Sequence, residues 1–400
     1  MHLTHEDVRA LLTADHDTVV SIYISTEPKT YQPEQNSLRF RSALNDTTKK
    51  LEKRGLRRPD IHSLLSPLRD LLDDEYFWLH QAKGLALFRS DSELETVRLH
   101  FEPAENVRVS DAPYVVPLLE GLENGERHAL LAVSKNAVRL FSCTREQIEE
   151  IDTDDLEMPR SLAEALRYDD LQKPELLHHP TTGPGRAIAG QASRGRGDRK
   201  HSFHGHGESG EQEKNQIAGY LHLVDAAVQS RLYDLGSPPL MLAAVDYVSA
   251  IYRGISKYKP IVAQTIEGNP DGLRPGELHA RARPILEAGW ESKVAGARSR
   301  FQELAARGLA TAKLPEVVDA ADTGRVDTLL VKKGSAAWGR LDASTRAVTL
   351  ATEETQDDSG WDDLMDLAAR RTLANQGTVL VLEAEVMIDG DATTAAMLRY

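Results

Sequence analysis

Four hundred residues, 40% of them hydrophobic, are more than one core usually serves, so two or three globular domains are expected. A formal net charge of −14 excludes a protein that coats nucleic acid over its whole surface and turns the partner expectation away from DNA, while leaving room for a local basic patch on RNA. No run of about eighteen apolar residues occurs, and the start carries His2, His5, Glu6 and Asp7 rather than a basic region and an apolar stretch. The expected location is the cytoplasm, with no membrane contact.

The first domain is expected over residues 1–125. Thr4 is placed to cap a helix containing Val8, Leu11 and Leu12, and the β-branched run at 18–24 reads as a strand. A long helix fits residues 35–54, with Leu38, Leu44 and Leu51 as its apolar stripe. Lys49, Lys50, Lys53, Arg54, Arg57 and Arg58 make its end basic, which suits either a solvated terminus favoured by the helix dipole or a contact with RNA. Strand-like runs at 84–88 and 95–99 follow, then a Pro-containing stretch at 113–117 and a turn at 123–126.

The second domain is expected over residues 126–268. Runs at 129–133 and 138–141 around the Ser134-Lys135-Asn136 turn have the pattern of a hairpin with largely buried strands. Cys143, the single cysteine, follows directly and reads as a buried strand thiol; alone it excludes an intramolecular disulfide and a cysteine-based zinc cage. Residues 173–210 hold almost no apolar side chains but many Gly, Pro, Arg, His and Ser, so they are expected to form an exposed, mobile loop. A helix at 211–232 aligns Ile217, Leu221, Val224, Val228 and Leu232 on one face. A strand at 240–245, a helix at 247–255 and a strand at 261–266 complete the unit, and Gly268-Asn269-Pro270-Asp271-Gly272 is a turn.

The third domain, residues 269–400, is expected to alternate helices (275–288, 291–308, 317–322, 361–375) with strands (328–332, 348–350, 378–386), a layered α/β arrangement. Within it, residues 314–331 read Leu-Pro-Glu-Val-Val-Asp-Ala-Ala-Asp-Thr-Gly-Arg-Val-Asp-Thr-Leu-Leu-Val, where Gly324 can end a helix in the left-handed conformation before a central strand. This stretch resembles the helix, glycine turn and strand in the C-terminal domain of Pelota and the archaeal and eukaryotic release factors. Residues 363–381, with Gly377 before Thr378-Val379-Leu380-Val381, resemble that domain's next helix-strand unit. The second domain is similar in order to the family's central domain: a strand pair, a glycine-rich loop, a long helix and another strand. The whole resembles the bacterial archaeo-eukaryotic release factor proteins, in the branch called family 3.

The resemblance implies three α/β domains: the first, a central mixed-sheet domain of RNase H-like type carrying the Gly/Arg/His loop, and a C-terminal α/β/α domain resembling RNA-binding ribosomal proteins. It implies a ribosome-associated factor that enters the tRNA A-site for rescue, hibernation or quality control, touching ribosomal RNA and tRNA and docking a translational GTPase. The first domain lacks the Asn-Ile-Lys-Ser motif that family members use at stop codons. Two other readings stand beside this one: a peptidyl-tRNA ester hydrolase, and a stress-related RNA- or protein-binding protein acting away from the ribosome.

Chemistry would reside in the loop. Release factors end it in Gly-Gly-Gln, whose backbone and amide help place a water against the peptidyl-tRNA ester. Here Ala189-Gly190-Gln191 is the nearest text, either a departure from that motif or an incidental dipeptide. Phe203-His204-Gly205-His206-Gly207 stands immediately before the helix, where the bacterial families carry their variable signature. Gly205 and Gly207 permit a tight turn, and the imidazoles of His204 and His206 can donate to phosphate or act as acid and base near neutral pH. With His201 they match no usual metal-site spacing, so no metal is expected. Arg186, Arg194, Arg196, Arg199 and Lys200 face a single acid, Asp198, and glycine-interleaved arginines either approach phosphates closely or remain solvated without a ligand. Neither Gly183-Pro184-Gly185 nor Gly205-His206-Gly207 follows a strand as a nucleotide loop requires, and no Walker-type motif occurs, so no cofactor is expected.

Overall fold

The computed structural model describes residues 5–12, 17–27, 33–124, 127–172, 208–342, 344–351, 361–388 and 392–400. Two compact units result, one of residues 1–126 with 287–400 and one of residues 127–286.

In the first unit, α1 (His5–Leu11), β1 (Val19–Ser25), α2 (Pro33–Lys53), α3 (Arg58–Asp70), α4 (Glu75–Leu79), β2 (Gly84–Arg89), β3 (Leu94–Leu99), β4 (Asn106–Ser110) and α5 (Val116–Asn124) follow in order. The strands form an antiparallel sheet, β3-β2-β1-β4. One face carries Val20, Ile22, Leu85 and Leu87 against Phe40, Leu44 and Leu51 of α2, Leu65 and Leu68 of α3, and Trp78 of α4.

The apolar stripe of α2 differs from the expected one. Leu38 is 58% exposed, while Phe40, Leu44, Thr47 and Leu51 recur at four, three and four residues and are buried. Its basic end is largely occupied by the protein's own groups. Lys50 Nζ donates to the Val107 carbonyl at 2.7 Å and Arg54 to Val109 at 2.9 Å, covering the unpaired side of edge strand β4. Residues 113–117, expected only as a Pro-containing stretch, lead into α5, with Pro117 in its first turn, where the missing N–H costs no intrahelical bond.

The second unit comprises β5 (His128–Val133), β6 (Val138–Cys143), β7 (Ile148–Ile151), α6 (Leu162–Gln172), α7 (Glu208–Asp234), β8 (Leu240–Ala244), α8 (Asp246–Ile255), β9 (Ile261–Glu267) and the first part of α9 (Pro275–Ala305). Its sheet runs β7-β6-β5-β8-β9, antiparallel through β7, β6 and β5 and parallel through β5, β8 and β9. This is the mixed RNase H-like sheet expected from the sequence. Leu131, Leu140 and Leu242 pack on one face against Ile217, Leu221, Val224, Val228 and Leu232, the stripe read from the sequence. On the other face Leu130, Phe141, Cys143 and Met241 meet Leu278, Ala282 and Leu286 of α9.

One helix replaces the two expected at 275–288 and 291–308. Residues before 287 bury Leu278 and Leu286 in the second unit, and later residues bury Val294 and Phe301 in the first, so both sides of Gly289 are held by packing. That burial outweighs the roughly 1 kcal/mol that an interior glycine costs.

The remaining elements of the first unit are β10 (Ala310–Thr311), α10 (Leu314–Asp322), β11 (Val326–Lys332), β12 (Trp338–Leu341), β13 (Val348–Leu350), β14 (Asp362–Asp363), α11 (Leu364–Ala374), β15 (Thr378–Leu382) and β16 (Thr394–Leu398). The order β10-β16-β11-β15 has α10 and α11 on one face and the later part of α9 on the other, an α/β/α sandwich; β13-β12-β14 form a small separate sheet. Gly324 and Gly377 stand where the two helix-strand units turn. Gly324 has φ +70, and a Cβ there would meet Asn375 Oδ1 at 2.9 Å.

The segments before 127 and after 286 keep separate sheets but share one hydrophobic cluster, joining Tyr23, Phe88, Val115 and Leu119 to Val317, Leu329, Met365 and Ala369. Polar contacts reinforce it. The Asp366 carboxylate on α11 accepts from Val115 N at 2.8 Å and Val116 N at 3.2 Å, at the start of α5, and from Arg370 Nε at 2.8 Å. Arg108 lies 4.1 Å over the Trp338 ring and 5.0 Å from that of Tyr114, while Lys333 bridges Glu120 and Glu383.

Candidate functional site

Parallel strands β5, β8 and β9 present their carboxyl ends together, the place where open α/β sheets hold ligands. Three connections gather there: the turn Ser134-Lys135-Asn136 after β5, the entry to α8 after β8, and residues 268–274 after β9.

The helices that flank residues 173–207 are tied to this edge. Leu162 N, at the start of α6, donates to the Lys135 carbonyl at 2.8 Å, and Tyr220 of α7 donates its hydroxyl to the Ser134 carbonyl at 3.0 Å. Lys135 pairs with Glu213 on α7, and its ammonium lies 5.5 Å from the centre of the Tyr247 ring on α8. The hydrogen bond to Glu213 raises the lysine's pKa, and the same bond lowers that of the glutamate. Both side chains are exposed, so the pair orients rather than stabilises.

Ser134 Oγ accepts from the backbone N–H of Asn136 and Ala137, closing the turn. Asn136 then donates to Asp271 at 2.9 Å, and Arg139 donates to the carbonyls of Pro270 and Leu273. Burial pushes the Asp271 carboxyl up, but hydrogen bonds from Ser134, Asn136 and Asn269 outweigh it and hold the group below the usual range. Asn136 and Arg139 are thus engaged by neighbouring groups at this edge, while Asp271 Oδ1 is buried without a hydrogen-bond partner among the described residues. The edge holds the start of α6 and the first turns of α7.

Gln191, His204, His206, Arg186, Arg194, Arg196, Arg199, Lys200, Gly190, Gly205 and Gly207 all fall within residues 173–207, outside the described residues. Among the described residues no group of three or more His, Cys, Asp or Glu side chains could hold a metal ion, and no helix is long and apolar enough to cross a membrane. Sequence reasoning missed Lys135, Glu213 and Tyr247 as a group, and Asn136 with Asp271. The turns were legible, but partners 78 and 135 positions apart leave no local signal.

No curated protein matches the chain. Among solved structures, Pelota of Archaeoglobus fulgidus is 13% identical, with 79% of each chain covered and a TM-score of 0.27. Ribosome-bound archaeal Pelota is 12% identical, with 99% of this chain and 94% of that one covered and a TM-score of 0.36. Dom34 of S. cerevisiae, described as a translation termination-like factor interacting with Hbs1, is 13% identical, covering 80% and 73%, with a TM-score of 0.37. At these values the likenesses stand beside the family match without adding to it. The model for Bacterial archaeo-eukaryotic release factor family 3 matches residues 127–325, from the start of β5 to the turn after α10, and through these residues the chain belongs to that family.

Proposed function

We propose that the chain is a translation factor of the release-factor-like kind that enters the ribosomal A-site in rescue, hibernation or quality control. The observation that carries this reading is the family match over residues 127–325, at whose centre α6 and α7 are fastened to the carboxyl edge of the sheet on either side of residues 173–207. On this proposal Arg186, Arg194, Arg196, Arg199 and Lys200 meet ribosomal RNA or tRNA phosphates. Gln191, or the pair His204 and His206, is the group placed near the peptidyl-tRNA ester, with Gly190, Gly205 and Gly207 giving the backbone its turns. Docking of a translational GTPase belongs to the same proposal.

Sedimentation of the purified protein with ribosomes, with the A-site vacant or filled by tRNA and at two salt concentrations, tests it. Binding that needs a vacant A-site, weakens with salt and is lost on deleting residues 186–200 is the expected result. A protein that stays at the top of every gradient overturns the reading. Peptide release from ribosome-bound peptidyl-tRNA then separates binding from hydrolysis, and a rate unchanged by Gln191→Ala and by His204→Ala with His206→Ala removes the hydrolytic role.

A further inference from the structure

An edge strand leaves one row of backbone N–H and C=O groups without a sheet partner, and this fold covers two of its edges with its own cations. Lys50 and Arg54 donate to the carbonyls of Val107 and Val109 along β4. Arg253 of α8 donates to the carbonyls of Ala263 and Gln264 along β9, at 2.9 and 3.2 Å. β7, the opposite edge of the second unit's sheet, has no such cover among the described residues.

The register of β7 decides which of its groups face outward. Thr144 N donates to the Gln147 carbonyl at 2.9 Å, and the bonded pairs alternate from there, to Ser142 with Glu149 and Leu140 with Ile151. The N–H and C=O groups of Ile148 and Glu150 therefore point away from β6, and they have no partner among the described residues. Side chains add charge to the same edge: residues 146–157 hold seven acids and no base. Asp154 pairs with Arg160 and Asp155 with Arg231, whereas Glu146, Glu150, Asp152 and Glu157 are exposed and make no ion pair among the described residues. Ile148 and Ile151 lie on opposite faces of the strand, each half-buried at the margin of a core, so a further strand would extend both cores. β3, an edge strand of the first unit, carries Glu95 and Arg98 and has no such bias of sign.

We propose that the β7 edge docks an extended basic segment of a partner protein, which joins the sheet as a sixth strand. The backbone of Ile148 and Glu150 offers two donors and two acceptors to it, and its lysine or arginine side chains meet Glu150 and Asp152. β7 thus takes from another chain the positive charge that the edges at β4 and β9 receive from their own. The acids that keep two copies of this edge apart, and that repel nucleic acid, are the ones that select a basic strand. The proposal stands apart from the translation-factor reading, since neither its argument nor its test involves a ribosome.

Fluorescence anisotropy of a labelled Lys-Val-Lys-Val-Lys-Val-Lys peptide with the full chain, at physiological ionic strength, reads the docking. Glu150→Gln removes one charge and is expected to weaken binding by up to about five-fold. Glu150→Pro removes that charge together with an outward N–H while leaving the bonds to β6 in place, and is expected to weaken binding at least about five-fold further. Lys-Pro-Lys-Pro-Lys-Pro-Lys has the same charge but cannot form the ladder, and should bind at least about five-fold more weakly than the valine peptide. Absence of binding by the unaltered chain overturns the proposal. So do equal affinities for the two peptides, which would leave only attraction between charges. Where Glu150→Pro lowers the thermal midpoint, the two peptides on the unaltered chain decide by themselves.

Discussion

Acidification from pH 7 to pH 5 is expected to stabilise the unit of residues 1–126 and 287–400, through Asp366. The carboxylate is fully buried, and burial pushes its pKa up to about 6, with the Arg370 guanidinium and the Val115 and Val116 N–H groups working against that rise. A carboxyl whose folded pKa lies above its unfolded value contributes stability that is complete below the unfolded value and is lost as pH rises through the folded one. From an ordinary value near 3.9 to about 6, the full effect is about 3 kcal/mol, of which about 1.3 kcal/mol appears between pH 7 and pH 5. Burial raises Asp362 and Asp363 in the same direction. Asp342 and Glu316, held low by hydrogen bonds, lose their contribution only at more acid pH, outside this window. All four tryptophans, Trp78, Trp290, Trp338 and Trp361, belong to this unit, so urea unfolding followed by their fluorescence reports on it alone. Asp366→Asn keeps an acceptor for the two N–H groups but removes the titration, and its gain on acidification should be smaller by about 1.3 kcal/mol. Equal pH dependence in the two proteins would refute the assignment.

Further outcomes follow from packing and charge. Gly84→Ala would place a Cβ 2.6 Å from the Phe101 carbonyl oxygen and against Pro103 Cδ, so a loss of about 1–3 kcal/mol is expected in thermal unfolding; an unchanged midpoint would mean the segment yields freely. Cys143 is buried, and burial alone pushes its thiol up to about 12; a thiolate-selective reagent at pH 8 should leave it untouched until the protein unfolds, and rapid labelling of the native chain would contradict that environment. Lys135→Met should leave the thermal midpoint unchanged, since the pair with Glu213 is exposed, yet weaken ribosome binding by loosening the tie between the β5–β6 turn and α7. Ribosome binding at full strength would show that this tie does not position the segment after α6.

What the sequence determined by itself was set by periodicity and composition. Ile217, Leu221, Val224, Val228 and Leu232 announced α7 because a helix has only one way to bring them to one face. Strands β5 and β8 were legible because they are buried on both faces and read as apolar runs, whereas the half-exposed β7 left no such mark. Residues 314–331 carried the family resemblance because a helix, a positive-φ glycine and a central strand each leave a local mark.

Tertiary structure decided what no local pattern carries. Leu38 yields its place in the core to Phe40 because the face α2 buries is chosen by β1 and β2. A single α9 forms across Gly289 because two separate cores hold its two parts. The first and last segments share one cluster, and Asp366 reaches Val115 across 251 positions. Lys135 finds Glu213, and Tyr233 lies against Tyr258, only once the strands have paired. Contacts distant in sequence depend on how faces are shared among elements, and a one-dimensional pattern records which faces exist without recording what covers them.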